Sequence, residues 1–489
     1  MASKTPFFKA FGPLLFGRPA RRTLRKLGRL NSLQELYEIF GHLLPDGLLA
    51  ATRKGANSRD RLFNPQVTFW AFAAQILSPG TACREIVRRV EAWWQEGLGS
   101  GAAPSSSTSA YCQARARLEP AALELIRAEI AWCLEKNVLK EERWLGGRAV
   151  KIVDGTGISM PDTPENQARW PQSSEQQPGC GFPAMKLVGL FSLSSGAFLE
   201  SVSGNKHVHE STLFRGLWSK LQKGDILLAD RGFSSYAAIA GLQHQRGVDS
   251  VMRLHQMRQI DFRTGRRLGR EDRLVIWQKP PRTETWSEQE HAALPATLAL
   301  RMIRLRVAAP GFRTQSVILV TTLLDVEAYP AEELRELYGR RWQVELHFQQ
   351  IKTHLAMDVL RCKSPELIER EVLMHQIAYN LVRSFMQRSA HLHRVALKRL
   401  SFKGTLDTLR HWSPLIAVEK TPRQQQKLID QMLALIAADP VPERPGRSEP
   451  RARKRRAKNY QLLTKPRGQT GNLPRRNRPQ TKHPKTPLS

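Results

Sequence analysis

Pro330-Ala-Glu-Glu-Leu-Arg-Glu-Leu-Tyr338-Gly-Arg-Arg341-Trp-Gln-Val-Glu345-Leu-His-Phe-Gln-Gln-Ile-Lys352-Thr-His-Leu355 is the stretch around which the rest of the chain can be arranged. Proline at the first helical position, followed by two glutamates, marks a helix start. Leu337, Val344, Phe348, Ile351 and Leu355 recur at three- and four-residue steps, so one stripe of the predicted helix faces a core. Tyr338, Glu345 and Lys352 stand seven apart, nearly two turns, and line one face about 10 Å apart per step with Arg341 beside them. A phenol, a guanidinium, a carboxylate and an ammonium in one row suit a metal-bound polyanion lying along the helix. A solvated face with ordinary helix-pairing charges fits the same spacing. Gly339 inside the helix, at a cost of about 1 kcal/mol against alanine, points to a close approach there.

The rest of the composition agrees with a polyanion partner. The 489 residues carry a formal charge of +32 and a pI of about 10.6, which favours nucleic acid over an anionic membrane surface. A 41% hydrophobic share with 11 tryptophans excludes a mainly disordered chain, and the length allows two or three domains. The longest apolar run, Val67 to Leu77, falls short of the ~18 residues of a spanning helix, so no membrane role is expected. Cys83, Cys112, Cys133, Cys180 and Cys362 are odd in number and scattered. Neither a disulfide framework nor a structural zinc site is expected, and reduced cytoplasmic thiols are the default. Phe7, Phe8, Phe11, Leu14, Leu15 and Phe16 lie among basic residues, and Pro13 interrupts any signal-peptide core.

From Ser32 to Asn137 the pattern is helical: a stripe of Leu33, Leu36, Ile39 and Leu43, then helices over Thr68 to Leu77 and Cys83 to Trp94. Gly97 to Ser107 reads as a linker. Thr108 or Ser109 caps a helix through Ala110 to Leu118, whose Gln113, Arg115 and Arg117 either enter a DNA groove or form a basic face touching nothing specific.

At Arg148 the texture changes. Ala149 to Val153 is a short strand stopping at Asp154-Gly-Thr-Gly157. Met185 to Leu193 and Phe198 to Val202 flank Ser194-Ser-Gly196 as a hairpin. A helix over His209 to Leu221 follows, then a strand over Asp225 to Ala229 that ends in Asp230-Arg-Gly-Phe233, then a helix from Ser234. Val248 to Leu254 supplies a fifth strand. The order predicts an α/β fold with a mixed sheet and carboxylates at two strand ends, where ligands of open α/β sheets tend to sit. Arg273 to Trp277, Leu298 to Val307 and Gln315 to Leu323 read as strands of a β-rich insertion. Pro365 to Met386 and Arg423 to Ala437 read as helices. Residues 441–489 hold fifteen Lys or Arg against two Glu, a disordered tail that either solubilises the protein or forms a non-specific DNA arm.

Asp154, Asp230 and Glu345 are the carboxylates with a strand-end or helix-row setting, whereas Asp162, Asp225, Asp325 and Asp358 read as surface or capping groups. Divalent ions held by such oxygen donors can activate a water or 3′-hydroxyl for in-line displacement at phosphorus. A strand-end aspartate taken singly is more often a turn residue than a ligand.

Tyr338, two residues, Arg341, three residues, Glu345, six residues, Lys352 resembles the Y-R-E-K signature of the insertion-sequence-four group of bacterial DDE transposases. Asp154-Gly-Thr and Asp230-Arg-Gly-Phe look like that family's first and second acidic motifs. Val320-Thr-Thr-Leu323 and Ala378-Tyr-Asn-Leu381 resemble further family blocks, and the Tyr111 to Leu118 run resembles the segment ahead of the catalytic domain. The resemblance covers about Arg148 to Met386. It implies a ribonuclease-H-like catalytic domain performing cut-and-paste transposition of an insertion sequence, as a homodimer on paired DNA ends. Asp154, Asp230 and Glu345 would be the catalytic acids and ligands of Mg²⁺, with Mn²⁺ able to substitute. Double-stranded DNA, as terminal inverted repeats and as target, would be the partner, and the bacterial nucleoid the place of action. Tyr338, Arg341 and Lys352 would hold phosphates. Trp277, Trp286 or Trp342 would stack on a base flipped out during hairpin formation, and none of the three stands out.

The expected organisation is therefore a basic arm (1–30), a helical DNA-end-binding domain (31–140) and a ribonuclease-H-like domain (148–390) with its insertion at about 255–328. C-terminal helices (391–440) and the disordered basic tail (441–489) complete it. Two other readings use the same residues: a ribonuclease-H-like DNA nuclease, and a domesticated DNA-binding protein without catalysis. Intact acids at all three positions speak against the last.

Overall fold

The computed structural model describes residues 62–98, 107–255, 257–258, 261–306, 316–418, 421–442 and 465–466. The basic arm, the stripe beginning at Leu33, most of the Gly97–Ser107 linker and nearly all of the tail lie outside these residues.

Among the described residues four helices come first: α1 (Pro65–Leu77), α2 (Cys83–Leu98), α3 (Thr108–Ala116) and α4 (Pro120–Lys136). Asn64 caps α1 by accepting from the Val67 amide, with proline in the first turn. Ser107, one residue ahead of the expected cap, starts α3 by accepting from the Ser109 amide. The α/β portion then runs β1 (Val150–Ser159), α5 (Pro164–Arg169), β2 (Ala184–Ser192), β3 (Phe198–Asn205), α6 (Glu210–Arg215), β4 (Ile226–Ala229), α7 (Tyr236–Arg246) and β5 (Asp249–Arg253). The insertion supplies β6 (Arg266–Gly269), β7 (Asp272–Gln278), α8 (Glu288–Ala292), β8 (Thr297–Arg306) and β9 (Ser316–Thr321). Five α-helices follow among the described residues: α9 (Ala331–Gly339), α10 (Gln343–Gln349), α11 (Pro365–His393), α12 (Phe402–Val418) and α13 (Pro422–Ala437).

All nine described strands join one mixed sheet in the order β3-β2-β1-β4-β5-β9-β8-β7-β6. β1, β4 and β5 are parallel, while β2 and β3 fold back antiparallel. The insertion is therefore a continuation of the sheet: β9 pairs with β5 from Val251↔Thr321 to Arg253↔Leu319. Within the insertion, β7 and β8 are fastened by a buried ion pair. Arg301 Nε is 3.0 Å from both carboxylate oxygens of Asp272 across β7 and β8, and Arg301 Nη1 donates to the Tyr329 carbonyl at 2.6 Å, just ahead of α9.

The period of two along each strand divides the core. Ile152, Leu187, Phe191, Ile226, Leu228, Val251, Ile303 and Leu319 face the helices α9 to α13 and α1 to α4. Val153, Val188, Leu190, Leu227, Ala229, Met252, Leu300 and Val320 face α6, α7, Trp218 and Trp286. α11 runs behind the first face and is buried along most of its length. Its Asn380 side chain accepts from the Phe198 amide and donates to the Phe198 carbonyl, extending the sheet by one amide. Tyr379 donates to the Gly196 carbonyl at 2.8 Å, in a hairpin turn where Gly196 takes φ +68°. The Ala378–Leu381 block thus locks β2 and β3 against the helix. The N-terminal helices pack into the same core, which runs without a break from Phe63 to Ile436; Gln387 donates to the Leu134 carbonyl and Arg370 to the Leu118 carbonyl.

Candidate active site

Asp154 lies within a strand, not at its end. β1 continues to Ser159 in a long hairpin with β2, in which Asp154 stands opposite Gly189. What ends near Asp154 is the pairing with β4, which covers only Val150 to Ile152 on β1. Past that point β1 and β4 separate, and Asp154 and Asp230 border the opening, as expected at the carboxyl ends of parallel strands. Asp230 directly follows β4 and begins a 3₁₀ turn over Arg231–Phe233 without capping it through its side chain. By strand alternation Asp154 points to the same face as Ile152, towards α10.

Glu345 arrives from that face, and its helix is not the single continuous element the spacing suggests. α9 ends at Gly339, a 3₁₀ turn spans Arg340–Trp342, α10 follows, and a π-helical turn covers Gln350–His354. Tight and wide turns change the angular step per residue, so a seven-residue spacing no longer keeps one face. The apolar stripe survives: Leu337, Val344, Phe348, Ile351 and Leu355 are all buried. The polar row does not, because Tyr338 and Arg341 are buried as well, pointing inward at the acids. Nothing lies within 4 Å of a Cβ built on Gly339, so no close approach requires glycine there. Its low helix propensity suits the place where α9 gives way to the tighter turn.

Arg341 is the hub. Its Nη1 is 3.9 Å from Asp154 Oδ2 and its Nη2 is 3.7 Å from Glu345 Oε1. Both separations exceed hydrogen-bond reach, so the guanidinium acts as a loosely held countercharge between two acids. Burial pushes the Asp154 carboxyl up to about 6, against the pull of the Gly155 amide and Arg341, with Glu210 and Asp230 adding to the rise. Burial, with Asp230 adding to it, raises the Tyr338 phenol to about 12 despite Arg341, so it remains a neutral donor. Lys352 donates to Thr156 Oγ1 at 3.0 Å and to the Gly157 carbonyl at 2.8 Å, tying the π-helical turn to the strand that carries Asp154.

Glu210 was not singled out as a site residue by its sequence pattern. At the start of α6, its carboxylate occupies the space over Gly155: a Cβ there would lie 2.4 Å from Glu210 Cδ. The Glu210 carboxylate thus uses the room the glycine leaves, which sets a fourth acid beside Asp154. No local signal identifies Glu210, because the approach is between elements far apart in sequence.

The three expected acids offer the hard oxygen donors a divalent ion takes, and the raised Asp154 carboxyl is what an added cation would relieve. Among the described residues no three His, Cys, Asp or Glu side chains are gathered at ligating distance; Arg341 occupies the gap between Asp154 and Glu345.

Other expected site residues fall elsewhere. Arg115 is not on an outward DNA-facing surface. It is buried, its Nη2 near Cys83 Sγ and Cys112 Sγ at 3.5 Å each and its Nη1 near Cys362 Sγ at 3.7 Å, beneath Phe72 and Tyr111. Three of the five scattered thiols thus converge in space while remaining free. Arg117 ends α3 half-buried, and Gln113 is exposed. Trp277 and Trp286 are buried, under the Arg258 and Arg215 guanidiniums at 3.7 and 4.1 Å. Trp342 is 47% exposed, with Arg341 5.0 Å from its ring centre. Asp325 accepts from the Glu327 and Ala328 amides as a capping group, and Asp225 does the same for Gln222 but is buried. No described helix is long and apolar enough to cross a membrane.

A family model described as "Transposase DDE domain" matches residues 145–381, a span holding all three acids. The transposase InsG of insertion sequence element IS4 from Escherichia coli K12 is 25% identical over 456 residues, 91% of this chain and 98% of that protein. The transposase for insertion sequence element IS421 from Escherichia coli is 36% identical over 83 residues, 17% of this chain and 22% of that protein. A solved piggyBac transposase synaptic complex with hairpin DNA aligns with a TM-score of 0.40 and 11% identity over 84% of each chain.

Proposed function

We propose, for a chain that is an insertion-sequence DDE transposase of the IS4 type and an enzyme of DNA cleavage and strand transfer, that Asp154, Asp230 and Glu345 are the catalytic acids. The observation that carries this is the shared guanidinium. Arg341 lies within 3.9 Å of the β1 acid and 3.7 Å of the α10 acid, so two acids remote in sequence face one small volume beside the end of β4. The order β3-β2-β1-β4-β5, with β1, β2 and β3 antiparallel in succession and β4 and β5 parallel to β1, supports a ribonuclease-H-like reading of the central sheet.

The family uses divalent metal ions, and Mg²⁺, with Mn²⁺ as substitute, suits three carboxylates. Held by Asp154, Asp230 and Glu345, such ions would supply activation of the attacking hydroxyl and stabilisation of the leaving oxygen. The protein's own part is positional and electrostatic. Arg341 keeps Asp154 and Glu345 compatible before substrate arrives, and its loose contacts let it turn towards a phosphate. Tyr338, as a neutral donor, and Lys352, above the end of β1, are the further phosphate contacts we assign; Arg117 is a candidate on the helical side. Trp342 is the accessible ring for a flipped base, whose stacking is worth ~1–3 kcal/mol. Double-stranded DNA is the substrate, and we infer that two copies act on paired terminal repeats at the nucleoid.

The test is cleavage of a duplex bearing the element's ends with Mg²⁺. Asp154→Asn, Asp230→Asn and Glu345→Gln should bind ends much as the parent does and lose strand cleavage and transfer by a thousandfold or more. Parent-like cleavage by any one of them overturns its assignment.

A further inference from the structure

Beyond the Asp230 turn lies a second concavity of about 350 Å³, walled by α6, the turn itself, the start of α7 and the 280–294 segment of the insertion. Arg215, Arg231, Arg258, His255 and His291 line it, and among the described residues no aspartate or glutamate does. Arg231 immediately follows Asp230, so the cavity starts one residue from a proposed catalytic acid.

Its cations are presented in a particular way. Arg258 stacks its guanidinium 3.7 Å from the Trp277 ring centre, and Arg215 stacks at 4.1 Å from that of Trp286. Arg215 is spoken for, being paired with Glu290 and donating to the Thr285 carbonyl at 2.6 Å. The Arg258 guanidinium has no carboxylate or carbonyl partner among the described residues. Stacking uses the face of a guanidinium and leaves the N–H donors along its edge. Burial without a countercharge lowers the Arg258 pKa, a cost that an anion in the cavity would offset.

We propose that this cavity is a DNA-backbone subsite, in which Arg258, with Arg231, takes a phosphate of the strand held at the acids, next to the one that is cleaved. The proposal rests on the DNA-cleaving reading of Asp154, Asp230 and Glu345. Trp277 and Trp286 act as platforms for arginines there, which leaves neither ring open to a base. The acid-free lining suits an anion, and the planar edge of a guanidinium matches two phosphate oxygens.

The experiment uses the full chain carrying Glu345→Gln, with Mg²⁺, and a fluorescent duplex containing one terminal repeat and its flanking DNA. Neutral methylphosphonates replace single phosphates, one position at a time, on both sides of the cleavage point. Without further change, one or two neutralised positions beside the cleavage point should weaken binding about tenfold. Adding Arg258→Gln should weaken binding to unmodified DNA by a similar factor, flatten the salt dependence by about one charge, and abolish the penalty at those positions alone. Thr283→Glu, which sets an acid in the exposed wall of the cavity, should reproduce the loss without disturbing the Trp277 stack. If both variants bind as the Glu345→Gln chain does, or lose affinity with the methylphosphonate pattern unchanged, Arg258 merely packs on Trp277 and the subsite is refuted. The two readings fail separately: cleavage by Asp154→Asn would remove the acids without altering this map.

Discussion

Phe348 lies against Gly189, the residue paired across the strands with Asp154. A Cβ on Gly189 would stand 3.1 Å from Phe348 Cζ, so the ring takes the place a side chain would fill. Phe348 is also one turn beyond Glu345 on α10, and this contact therefore sets how the helix's acid sits over the strand's acid. Gly189→Val should push the ring and α10 outward at a cost of ~1–3 kcal/mol. We expect cleavage to fall at least tenfold and end binding to change little, with Gly189→Ala milder in both. Cleavage rates alongside melting curves check this; a stable Gly189→Val variant with parent-like cleavage would show that the ring does not position Glu345.

At Gly155 a Cβ would fall 2.4 Å from Glu210 Cδ, but the conflict is with the movable end of a side chain and not with backbone. Gly155→Ala should therefore change the melting temperature little, with the Glu210 carboxylate turned aside from Asp154. Any effect on cleavage should be reproduced by Glu210→Ala, measured on the same bound end. A melting temperature lowered by many degrees in Gly155→Ala and left low by Glu210→Ala would place the conflict in the backbone instead.

Asp154 gives a pH dependence whose sign follows from burial. Its carboxyl is raised from 3.8 to about 6 in the fold, so between those values the folded chain binds a proton more tightly than the unfolded chain does. The ionised acid thus weakens the metal-free fold: stability falls as pH rises from about 4 to 6 and stays lowered above. Asp154→Asn should raise the melting temperature by a few degrees at pH 8 in chelator and hardly at all at pH 4. Calorimetry at the two pH values checks it, and an equal shift at both would contradict the burial argument.

Lys352 is bonded to Thr156 and to the Gly157 carbonyl, so Lys352→Ala has two separable consequences. The salt dependence of end binding should flatten by about one charge if Lys352 also meets a phosphate. Cleavage of an already bound end should slow if the tether matters. An unchanged salt slope removes Lys352 from the DNA contacts, whatever happens to the rate.

The Asp272–Arg301 pair fastens β7 to β8, with the two side chains 7% and 1% exposed. Asp272→Asn leaves Arg301 buried without its countercharge and should cost roughly 3–5 kcal/mol. Urea unfolding measures this directly; a loss below about 1 kcal/mol would mean that water or another acid reaches Arg301.

The sequence by itself determined which segments bury apolar faces and where chain reversals fall. Period-two runs became β7, β8 and β9, the small residues around Gly196 became a hairpin, and the Leu337–Leu355 stripe is buried throughout. Asp154, Asp230 and Glu345 could be picked out because each stands in a short pattern of residue types. Local patterns carry no information on which elements meet, and there the tertiary structure decided. It turned Tyr338 and Arg341 inward by breaking one helix into α, 3₁₀ and π turns. It buried Arg115 among three cysteines and merged the insertion into the main sheet. It also brought Glu210 over Gly155. The physical reason is common to all four: helix phase and burial are settled by long-range packing, which outweighs the few tenths of a kcal/mol per residue that local propensity supplies.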